Sequence, residues 1–239
     1  MSEDFTADEL MTVSSARELQ DRTVCFVGIG LPSTAANLAR LTHAPRTVLV
    51  YESGTIGSKP AALPLSIGDG ELAETADSVV SVPEIFNYWL QGGRIDVGFL
   101  GAAQVDRRGN LNSTVIGDYD KPKVRLPGGG GAPEIAAMVR EVIVIIRQSE
   151  RSFVEEVDFR SSVPATGDMV VITDLGVLRR QDDELVLTRV HPGVSVEQAK
   201  EATGWDLRVA DDLDETDPPS DEELRVLREL RSALEEAKA

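Results

Sequence analysis

The sequence predicts an α/β fold with a mainly parallel central sheet and flanking helices. Continuously apolar runs of strand length recur along the chain, and helical segments separate them. The first set is a strand at Thr23–Ile29, an Ala- and Leu-rich helix at Thr34–Leu41 and a strand at Thr47–Tyr51, which form a βαβ unit. Strands without polar alternation are typical of parallel sheets that are covered on both faces.

The remaining helices and strands are predicted from capping residues and from the spacing of apolar side chains. A helix is predicted over residues 6–20, because Thr6 can cap its amino end and acidic residues follow. The aromatic residues in Pro83–Leu90 have the spacing of a helix that packs on the sheet or on a partner. Further strands are predicted at Asp96–Leu100, Val142–Ile146, Met169–Thr173 and Glu184–Arg189, and further helices at Pro133–Arg140, Ser195–Thr203 and from Ser220 onward.

The length of 239 residues predicts one well-buried domain with a tail. We place the domain at residues 1–210. Residues 211–239 are predicted to form an acidic linker, rich in charge and proline, followed by a helix whose start at Ser220 has capping-box spacing to Glu223.

Charge and composition exclude several classes of protein. The chain has 41 acidic and 24 basic side chains and a net charge of −17, which would repel the phosphate backbone of nucleic acids. No apolar run approaches the roughly 18 residues of a membrane helix, and the amino terminus lacks the basic and apolar regions of a signal peptide. We therefore expect a cytoplasmic protein that binds neither nucleic acid nor membrane.

The single cysteine, Cys25, lies in an apolar run, so it is interpreted as a buried structural thiol. Neither a disulfide within the chain nor a cysteine-based metal site can form, and no metal site is predicted. His43 and His191 each lie near a proline and are interpreted as surface or loop histidines. A serine–histidine catalytic pair therefore has little support.

The first candidate for chemistry is Glu52, at the end of the second predicted strand. Ligands of open α/β sheets bind beyond the carboxyl ends of the strands. A glutamate with a pKa of about 4.3 is ionised at neutral pH and can attack as a nucleophile without a separate base. Taken alone, Glu52 could equally be a solvated acid or the partner of a helix cap.

A dinucleotide-binding turn is the alternative at the same place. Gly28 and Gly30 follow a strand and precede a helix, and Glu52 lies at the distance of a ribose-binding acid. The match is incomplete, because Ser33 replaces the third glycine and Pro32 fixes the backbone inside the turn.

Several separated motifs resemble the β subunit of class I coenzyme A transferases, with the β-type chain of glutaconate CoA-transferase as the nearest type. The resemblance extends over most of the chain, and the motifs keep their order and approximate spacing. They are Gly28-Ile29-Gly30-Leu31-Pro32, Tyr51-Glu52-Ser53-Gly54, Gly101-Ala102-Ala103-Gln104-Val105-Asp106, Gly109-Asn110-Leu111-Asn112-Ser113-Thr114, Ile116-Gly117-Asp118-Tyr119, Pro122-Lys123-Val124-Arg125, Gly129-Gly130-Gly131-Ala132, His191-Pro192-Gly193-Val194 and Thr203-Gly204-Trp205-Asp206-Leu207.

This resemblance implies the CoA-transferase type of α/β fold, shared with the NagB and RpiA proteins, and a separate, homologous α subunit in a heterodimer, heterotetramer or larger assembly. It implies that coenzyme A and carboxylic acids are substrates, with no cofactor bound permanently, and that Glu52 is the covalent nucleophile. Two alternatives stay open: an acyl-CoA hydrolase or CoA-dependent C–C bond-cleaving hydrolase on the same fold, and a non-catalytic ligand-binding subunit.

The implied reaction sets requirements for the remaining site residues. Each attack forms a tetrahedral oxyanion, for which glycine turns can offer backbone N–H groups, and the candidates are Gly28, Gly30, Gly129, Gly130 and Gly131. Lys121, Lys123 and Arg125 form a basic cluster that could hold a phosphate or a substrate carboxylate. The other substrate- or CoA-binding candidates are Ser53, Gly54, Gln104 and Asn112, of which the two amides could instead bond turn backbone, as could Asp106 and Asn110.

One departure from the family concerns the segment between Asp158 and Met169. Only residues 159–168 lie there, where many relatives carry a longer loop. The acyl-group specificity is therefore left open.

Overall fold

The structure is a computed structural model that describes residues 5–164 and 167–238. Ala165 and Thr166, in the short segment 159–168, lie outside the described residues. The helices are α1 (Ala7–Arg17), α2 (Leu31–Leu41), α3 (Gly70–Glu74), α4 (Val82–Glu84) with a following π-helix (Ile85–Leu90), α5 (Ala132–Met138), α6 (Val196–Glu201) and α7 (Asp221–Lys238). Within the described ranges, no helix is both long and apolar enough to cross a membrane.

The strands are mostly short. They are β1 (Val24–Phe26), β2 (Val48–Val50), β3 (Thr55–Ile56), β4 (Ser78–Val79), β5 (Val97–Leu100), β6 (Gln104–Asp106), β7 (Leu111–Asn112), β8 (Val115–Gly117), β9 (Pro122–Arg125), β10 (Glu141–Ile145), β11 (Phe153–Val154), β12 (Asp168–Ile172), β13 (Gly176–Gln181), β14 (Glu184–Val190) and β15 (Arg208–Glu215).

The chain folds into two compact units, which differ from the predicted division at residue 210. The first unit contains the residues up to Phe99 and those from Pro218 onward, and the second contains Leu100–Asp217. In the first unit the strand order is β5-β1-β2-β3-β4, with β1 parallel to both of its neighbours and β3 antiparallel to both of its own.

The second unit has its own strand order, β15-β14-β13-β12-β10. Strand β10 runs parallel to β12, and β14 runs parallel to β15, while β13 is antiparallel to its neighbours. The apolar strands β10 and β12 are almost fully buried, as their composition requires. A three-stranded sheet (β11-β6-β7) and a two-stranded ribbon (β8-β9) complete this unit. The predicted α/β class with parallel central strands is confirmed.

Most predicted elements are present, with shifted ends. Thr6 caps α1, as predicted, and Glu9 completes a capping box that the sequence analysis did not predict. In Pro83–Leu90 the Phe86 ring packs against Phe26 of β1, with ring centroids 5.8 Å apart, whereas Tyr88 is exposed. The helix there is of the π type and was predicted as an ordinary helix. The helix assigned to residues 34–41 starts earlier, at Leu31, because Pro32 fits a first turn.

The predicted acidic linker at residues 211–219 is wrong for residues 211–215. These belong to β15, which pairs with β14 through Arg189↔Asp214 and Val190↔Glu215. Backbone pairing along the edge of a sheet does not need apolar side chains, so an acidic, half-exposed strand has the composition of a linker. The predicted helix after Ser220 is confirmed as α7.

Helix α7 packs back onto α1 through arginine–glutamate pairs. The guanidinium of Arg17 donates two hydrogen bonds to Glu223, at 2.8 and 2.7 Å. The guanidinium of Arg228 donates to the buried Glu9, at 2.8 Å from Nε to Oε1. The hydrogen bond from Arg228 lowers the pKa of Glu9, and this effect exceeds the opposing effect of burial. For Glu223, burial acts to raise the pKa, but the bonds from Arg17 and Ser220 bring it below its usual value.

We expect the Glu9–Arg228 pair to make the first unit sensitive to acid. A carboxyl whose pKa is lowered by folding stabilises the protein above its unfolded pKa, about 4.5, and loses that contribution as the pH falls through the lower folded value. Glu9→Gln should therefore reduce the free energy of unfolding by about 1–2 kcal/mol at pH 7 and by much less at acid pH. Thermal unfolding measured from pH 7 to pH 3 checks this.

The matched control is Glu229→Gln on α7, the helix that carries Arg228. Glu229 pairs with Arg225 at the surface, where both side chains are more than half exposed. Exposed pairs of this kind contribute little, so the control should follow the wild-type profile. An equal loss in both variants at pH 7 would contradict the assignment.

Candidate active site

The hairpin between β2 and β3 carries Glu52 at its tip. The N–H of Tyr51 donates to the Thr55 carbonyl and the N–H of Gly54 donates to the Tyr51 carbonyl, both at 3.0 Å. Glu52, Ser53 and Gly54 therefore form a three-residue loop, whose last residue commonly has a positive φ. Gly54 has φ +103°, and a Cβ there would lie 1.9 Å from the Val80 carbonyl oxygen. Only glycine fits this position.

The Glu52 carboxylate is half-buried and not paired. Among the described residues, no hydrogen-bond donor or cation lies within bonding distance of it. Burial raises the pKa of Glu52. A partly desolvated carboxylate without hydrogen-bond donors from the protein is a stronger nucleophile than a fully solvated one, because less solvation has to be removed before it attacks.

The loop after β1 lies at the same edge of the first unit's sheet. Strands β1 and β2 run parallel with Phe26 opposite Val50, and the Val27 N–H donates to the Val50 carbonyl at 2.9 Å. Gly28 and Gly30 follow β1 as Glu52 follows β2, so the three residues lie at the carboxyl ends of adjacent strands. Gly30 is exposed, and a Cβ on it would meet no atom within 4 Å, which leaves open space beside its backbone.

A buried hydrogen-bond network lies directly behind the hairpin. The Tyr51 hydroxyl lies 3.2 Å from Ser33 Oγ on α2, and Asn37 Nδ2 donates to the Ser33 carbonyl at 2.9 Å. Arg40 then donates to Asn37 Oδ1 at 3.1 Å and to the Pro60 carbonyl at 3.0 Å. Tyr51 is fully buried, so this network ties the base of the Glu52 loop to α2. Sequence reasoning missed it, since Ser, Asn and Tyr in apolar surroundings carry no distinctive pattern.

Two hydroxyls near Glu52 lack partners. Ser53 Oγ and Thr55 Oγ1 are buried and, among the described residues, have no hydrogen-bond partner. Buried polar atoms are nearly always bonded, so these two hydroxyls are exceptions to the usual pairing. Of the predicted site residues, the structure brings together Gly28, Gly30, Glu52, Ser53 and Gly54 in the first unit.

The predicted Gly129–Gly131 donors belong to the second unit and enter α5. The Gly128 N–H donates to the Ser113 carbonyl at 2.8 Å, and the Gly129 and Gly131 carbonyls accept from Ala132 and Ile135. Gly130 is exposed with φ +52°, and a Cβ on it would meet nothing within 4 Å. Hydrogen bonds therefore hold both ends of the run, and the Gly130 backbone between them is exposed to solvent.

Gln104 and Asn112 form a buried amide pair across β6 and β7. Asn112 Nδ2 donates to Gln104 Oε1 and to the Val115 carbonyl, both at 2.7 Å. Gln104 Nε2 donates to Asp158 at 3.2 Å. Asp106 likewise accepts from the Arg108 and Asn110 N–H groups, at 2.9 and 3.0 Å. The interpretation that these polar side chains bond turn backbone is confirmed for Asn112 and Asp106.

Lys123 and Arg125 lie on β9, exposed to solvent in the second unit. The Arg125 guanidinium lies over the Tyr119 ring, 4.8 Å from its centroid, and donates to the Tyr119 carbonyl at 3.0 Å. Both side chains are available to an anion.

Both histidines lie in loops, as interpreted, but only His43 lies at the surface. His43 is exposed, whereas His191 is 1% exposed. The ring of His191 lies 3.0 Å from Thr216 Oγ1 and 2.8 Å from the Thr173 carbonyl, and burial lowers its pKa. A neutral ring that donates from Nε2 and accepts at Nδ1 satisfies both contacts, which makes His191 a structural residue. Among the described residues, no group of three or more His, Cys, Asp or Glu side chains could hold a metal ion.

A family model and two relatives of known name all indicate the same protein family. The model of the coenzyme A transferase family matches residues 9–202. The B subunit of the 3-oxoadipate CoA-transferase of Pseudomonas knackmussii is 57% identical over 95% of this chain and 94% of its own length. The B subunit of the glutaconate CoA-transferase of Acidaminococcus fermentans is 31% identical over 94% and 92%.

Comparison with solved structures indicates the same fold. The glutaconate coenzyme A-transferase of Acidaminococcus fermentans matches with a TM-score of 0.88 and 28% identity, over 99% of this chain and 97% of its own. The decarboxylase AibA/AibB matches with a TM-score of 0.87 and 30% identity, over 95% of each chain. The two relatives above are both B subunits by name. With its residues, its fold and its relatives in agreement, the chain belongs to the coenzyme A transferase family as one of its β subunits.

Proposed function

We propose that Glu52 is the covalent nucleophile with which this β subunit moves CoA between an acyl-CoA and a carboxylic acid. The observation that carries the proposal is the position of Glu52 at the tip of a fixed loop, half-buried and with no partner among the described residues. The 57% identity to a chain of a 3-oxoadipate CoA-transferase supports a 3-oxo dicarboxylic acid as the acceptor.

The reaction needs no base and no permanently bound cofactor. A Glu52 oxygen attacks the thioester carbon of acyl-CoA and forms a C–O bond. The C–S bond then breaks, so CoA leaves as a thiolate and a mixed anhydride between Glu52 and the acyl group remains. The thiolate attacks the Glu52 carbonyl carbon, which gives a glutamyl-CoA thioester and releases the donor acid as a carboxylate. The acceptor carboxylate then repeats the two steps in reverse and leaves as its CoA ester.

The roles of the other residues follow from where they lie. Gly28 and Gly30, beside Glu52 at one sheet edge, supply N–H donors to the tetrahedral oxyanions. The donor role of the Gly129–Gly131 run, which belongs to the second unit, stays a prediction. Ser53 and Gly54 shape the loop that carries the nucleophile. Gln104 and Asn112, whose amides bond to each other, act through the loop that anchors the Gly129–Gly131 run.

The partner we propose is a homologous α subunit in a cytoplasmic hetero-oligomer. A mixed anhydride is destroyed by water, so a second chain that closes the site would protect the activated acyl group. The names of the relatives as B subunits and the paired name AibA/AibB support such a partner. The net charge of −17 argues against nucleic acid or an anionic membrane surface as a further partner.

A second candidate function is CoA-dependent bond cleavage or acyl-CoA hydrolysis. The similarity to the decarboxylase AibA/AibB, at a TM-score of 0.87, favours it, since this fold also supports another reaction. The carboxylate at position 52 favours transfer, because it can store CoA as a thioester in the absence of an acceptor.

A trapping experiment separates these functions. The chain, reconstituted with its α subunit, is incubated with acyl-CoA and no acceptor, and its peptides are analysed by mass spectrometry. Transfer should leave CoA attached to the Glu52 peptide, and the control Glu74→Gln, at an exposed acid, should trap as much. Steady release of free CoA without an adduct would instead indicate hydrolysis, and neither product would indicate a non-catalytic subunit.

A further inference from the structure

A buried side-chain contact joins the loop that carries Glu52 to the helix that follows the Gly28–Gly30 loop. Tyr51 directly precedes Glu52, and its hydroxyl lies 3.2 Å from Ser33 Oγ. Ser33 lies in the first turn of α2, three residues after Gly30, which caps the helix. Tyr51 is 0% exposed and Ser33 is 1% exposed. The contact therefore links the two segments to which the proposed reaction assigns the nucleophile and the backbone donors.

The Gly28–Gly30 loop has free N–H groups and is tied to α2. Among the described residues, the backbone N–H groups of Gly28, Ile29 and Gly30 donate to no acceptor. The Gly30 carbonyl, by contrast, accepts from the N–H and from the hydroxyl of Thr34, at 3.0 and 3.1 Å. Because Thr34 belongs to α2, these two bonds make the position of the loop follow that of the helix.

The rest of the buried network holds Ser33 in place. Arg40 donates to Asn37 Oδ1 from Nε at 3.3 Å and from Nη2 at 3.1 Å. A guanidinium has no acceptor, so these bonds decide that the Asn37 amide turns its Nδ2 towards Ser33, whose carbonyl accepts at 2.9 Å. Arg40 also donates to the Pro60 carbonyl at 3.0 Å. Helix α2 therefore holds the hairpin before its loop, at Tyr51, and after β3, at Pro60.

The Tyr51 hydroxyl fixes position more than it adds stability. Burial raises the pKa of Tyr51, so the phenol stays protonated and neutral. A phenylalanine would fill the same space without a hydroxyl to remove from water, and one hydrogen bond between neutral groups offsets little more than that cost. A phenylalanine could not, however, fix the distance between the end of β2 and the first turn of α2.

We propose that the hydrogen bond between Tyr51 and Ser33 is a positioning contact, which holds the Glu52 carboxylate in line with the N–H groups of the Gly28–Gly30 loop. The inference rests on the proposed function, in which Glu52 attacks a thioester carbon and these N–H groups bind the oxyanion. Both must meet the same carbonyl group of the substrate, so a shift of about 1 Å between the two loops can lower the rate up to about a hundredfold. Tyr51 and Ser33 do not touch the substrate and act through the loops they join.

The test measures how fast CoA is attached to Glu52 in a single turnover of the reconstituted complex. The maximal rate and the half-saturating concentration of acyl-CoA are determined for the wild type, Tyr51→Phe, Ser33→Ala and the double variant. Each single variant should lower the maximal rate about tenfold and leave the half-saturating concentration within about twofold. The double variant should be no slower than the slower single variant, because both substitutions remove the same bond.

Ser15→Ala is the matched control. Ser15 is 0% exposed and belongs to the same unit, and its Oγ donates to the Met11 carbonyl at 2.7 Å within α1. This variant should keep the wild-type rate within about twofold. Hydrogen exchange of the Tyr51 and Gly54 amides, which close the loop, should be faster in Tyr51→Phe than in the control.

Several outcomes would overturn the positioning role. They are attachment of CoA at the wild-type rate in either single variant, a loss in the double variant that equals the product of the single losses, a change in the half-saturating concentration alone, and an equal loss of rate in Ser15→Ala. A wild type that attaches no CoA to Glu52 would instead refute the proposed function, and the positioning role with it. A wild-type adduct that all variants form equally fast would refute the positioning role only.

Discussion

Glu52→Gln is expected to lower CoA transfer by about a thousandfold or more in the reconstituted complex. The amide keeps the size of the side chain but has no anionic oxygen to attack a thioester. Since the Glu52 carboxylate makes no hydrogen bond or ion pair with the described residues, the substitution breaks no contact that holds the hairpin. Steady-state rates with an acyl-CoA donor and a 3-oxo dicarboxylic acid acceptor measure the effect.

The same variant should be more stable than the wild type at neutral pH. Burial raises the pKa of Glu52, so the folded state binds this proton more tightly than the unfolded state does. Stability from this group is complete below the unfolded pKa and is lost as the pH rises through the folded value. At pH 7 the Glu52→Gln variant should therefore unfold at a higher temperature than the wild type, and this difference should vanish near pH 4.

Turnover of Glu52→Gln at the wild-type rate, with deamidation back to glutamate excluded, would refute the role of Glu52.

Gly54→Ala is expected to destabilise the chain by about 3 kcal/mol or more and to reduce transfer strongly. The new Cβ would lie 1.9 Å from the Val80 carbonyl oxygen, at a φ of +103° that L-residues rarely adopt. Either β4 moves away, which breaks the 2.9 Å bond from the Val80 N–H to the Gly54 carbonyl, or the loop moves and takes Glu52 with it. Chemical denaturation and transfer assays measure the two effects.

Gly93→Ala is the matched control for backbone conformation. Gly93 also has a positive φ, +67°, but a Cβ there would meet nothing within 4 Å. Alanine should cost only about 1 kcal/mol at this position and leave transfer unchanged. Equal losses in the two variants would show that the contact with Val80 is unimportant.

The sequence was most informative where burial dictates composition. Strands such as β10 and β12 are apolar throughout because both faces are covered, and their runs could be located directly. Strand β15 could not be located from the sequence, because Asp211, Asp212 and Asp214 are typical of a solvated segment. Only the pairing with β14 makes this segment a strand. The two-residue strands β3 and β4 are set by the Gly54 loop and are too short for any periodicity.

The candidate site likewise has features that could be predicted from the sequence and features that could not. The position of Glu52 at the edge of a sheet could be predicted from the strand end and the glycine-containing turn, whereas its role as nucleophile is implied by the family resemblance and stays a prediction. In the network from Tyr51 to Arg40, Ser33, Asn37 and Arg40 are three and four residues apart on α2, whereas the contact between Ser33 and Tyr51 joins that helix to the end of β2 and follows from no local pattern. For His191 the neighbouring proline indicated a loop, which the structure has, but the sequence did not show that Thr216 and Thr173 satisfy the ring inside the protein.

The return of α7 to the first unit has a consequence for synthesis on the ribosome. Leu100–Asp217 form a unit that is continuous in sequence, whereas the unit containing Glu52 needs residues from Pro218 onward. Domains tend to fold as units while the chain emerges, so the inserted unit can mature first. Until α7 has been synthesised, Glu9 and the surface of α1 around it lack the helix that covers them in the folded chain.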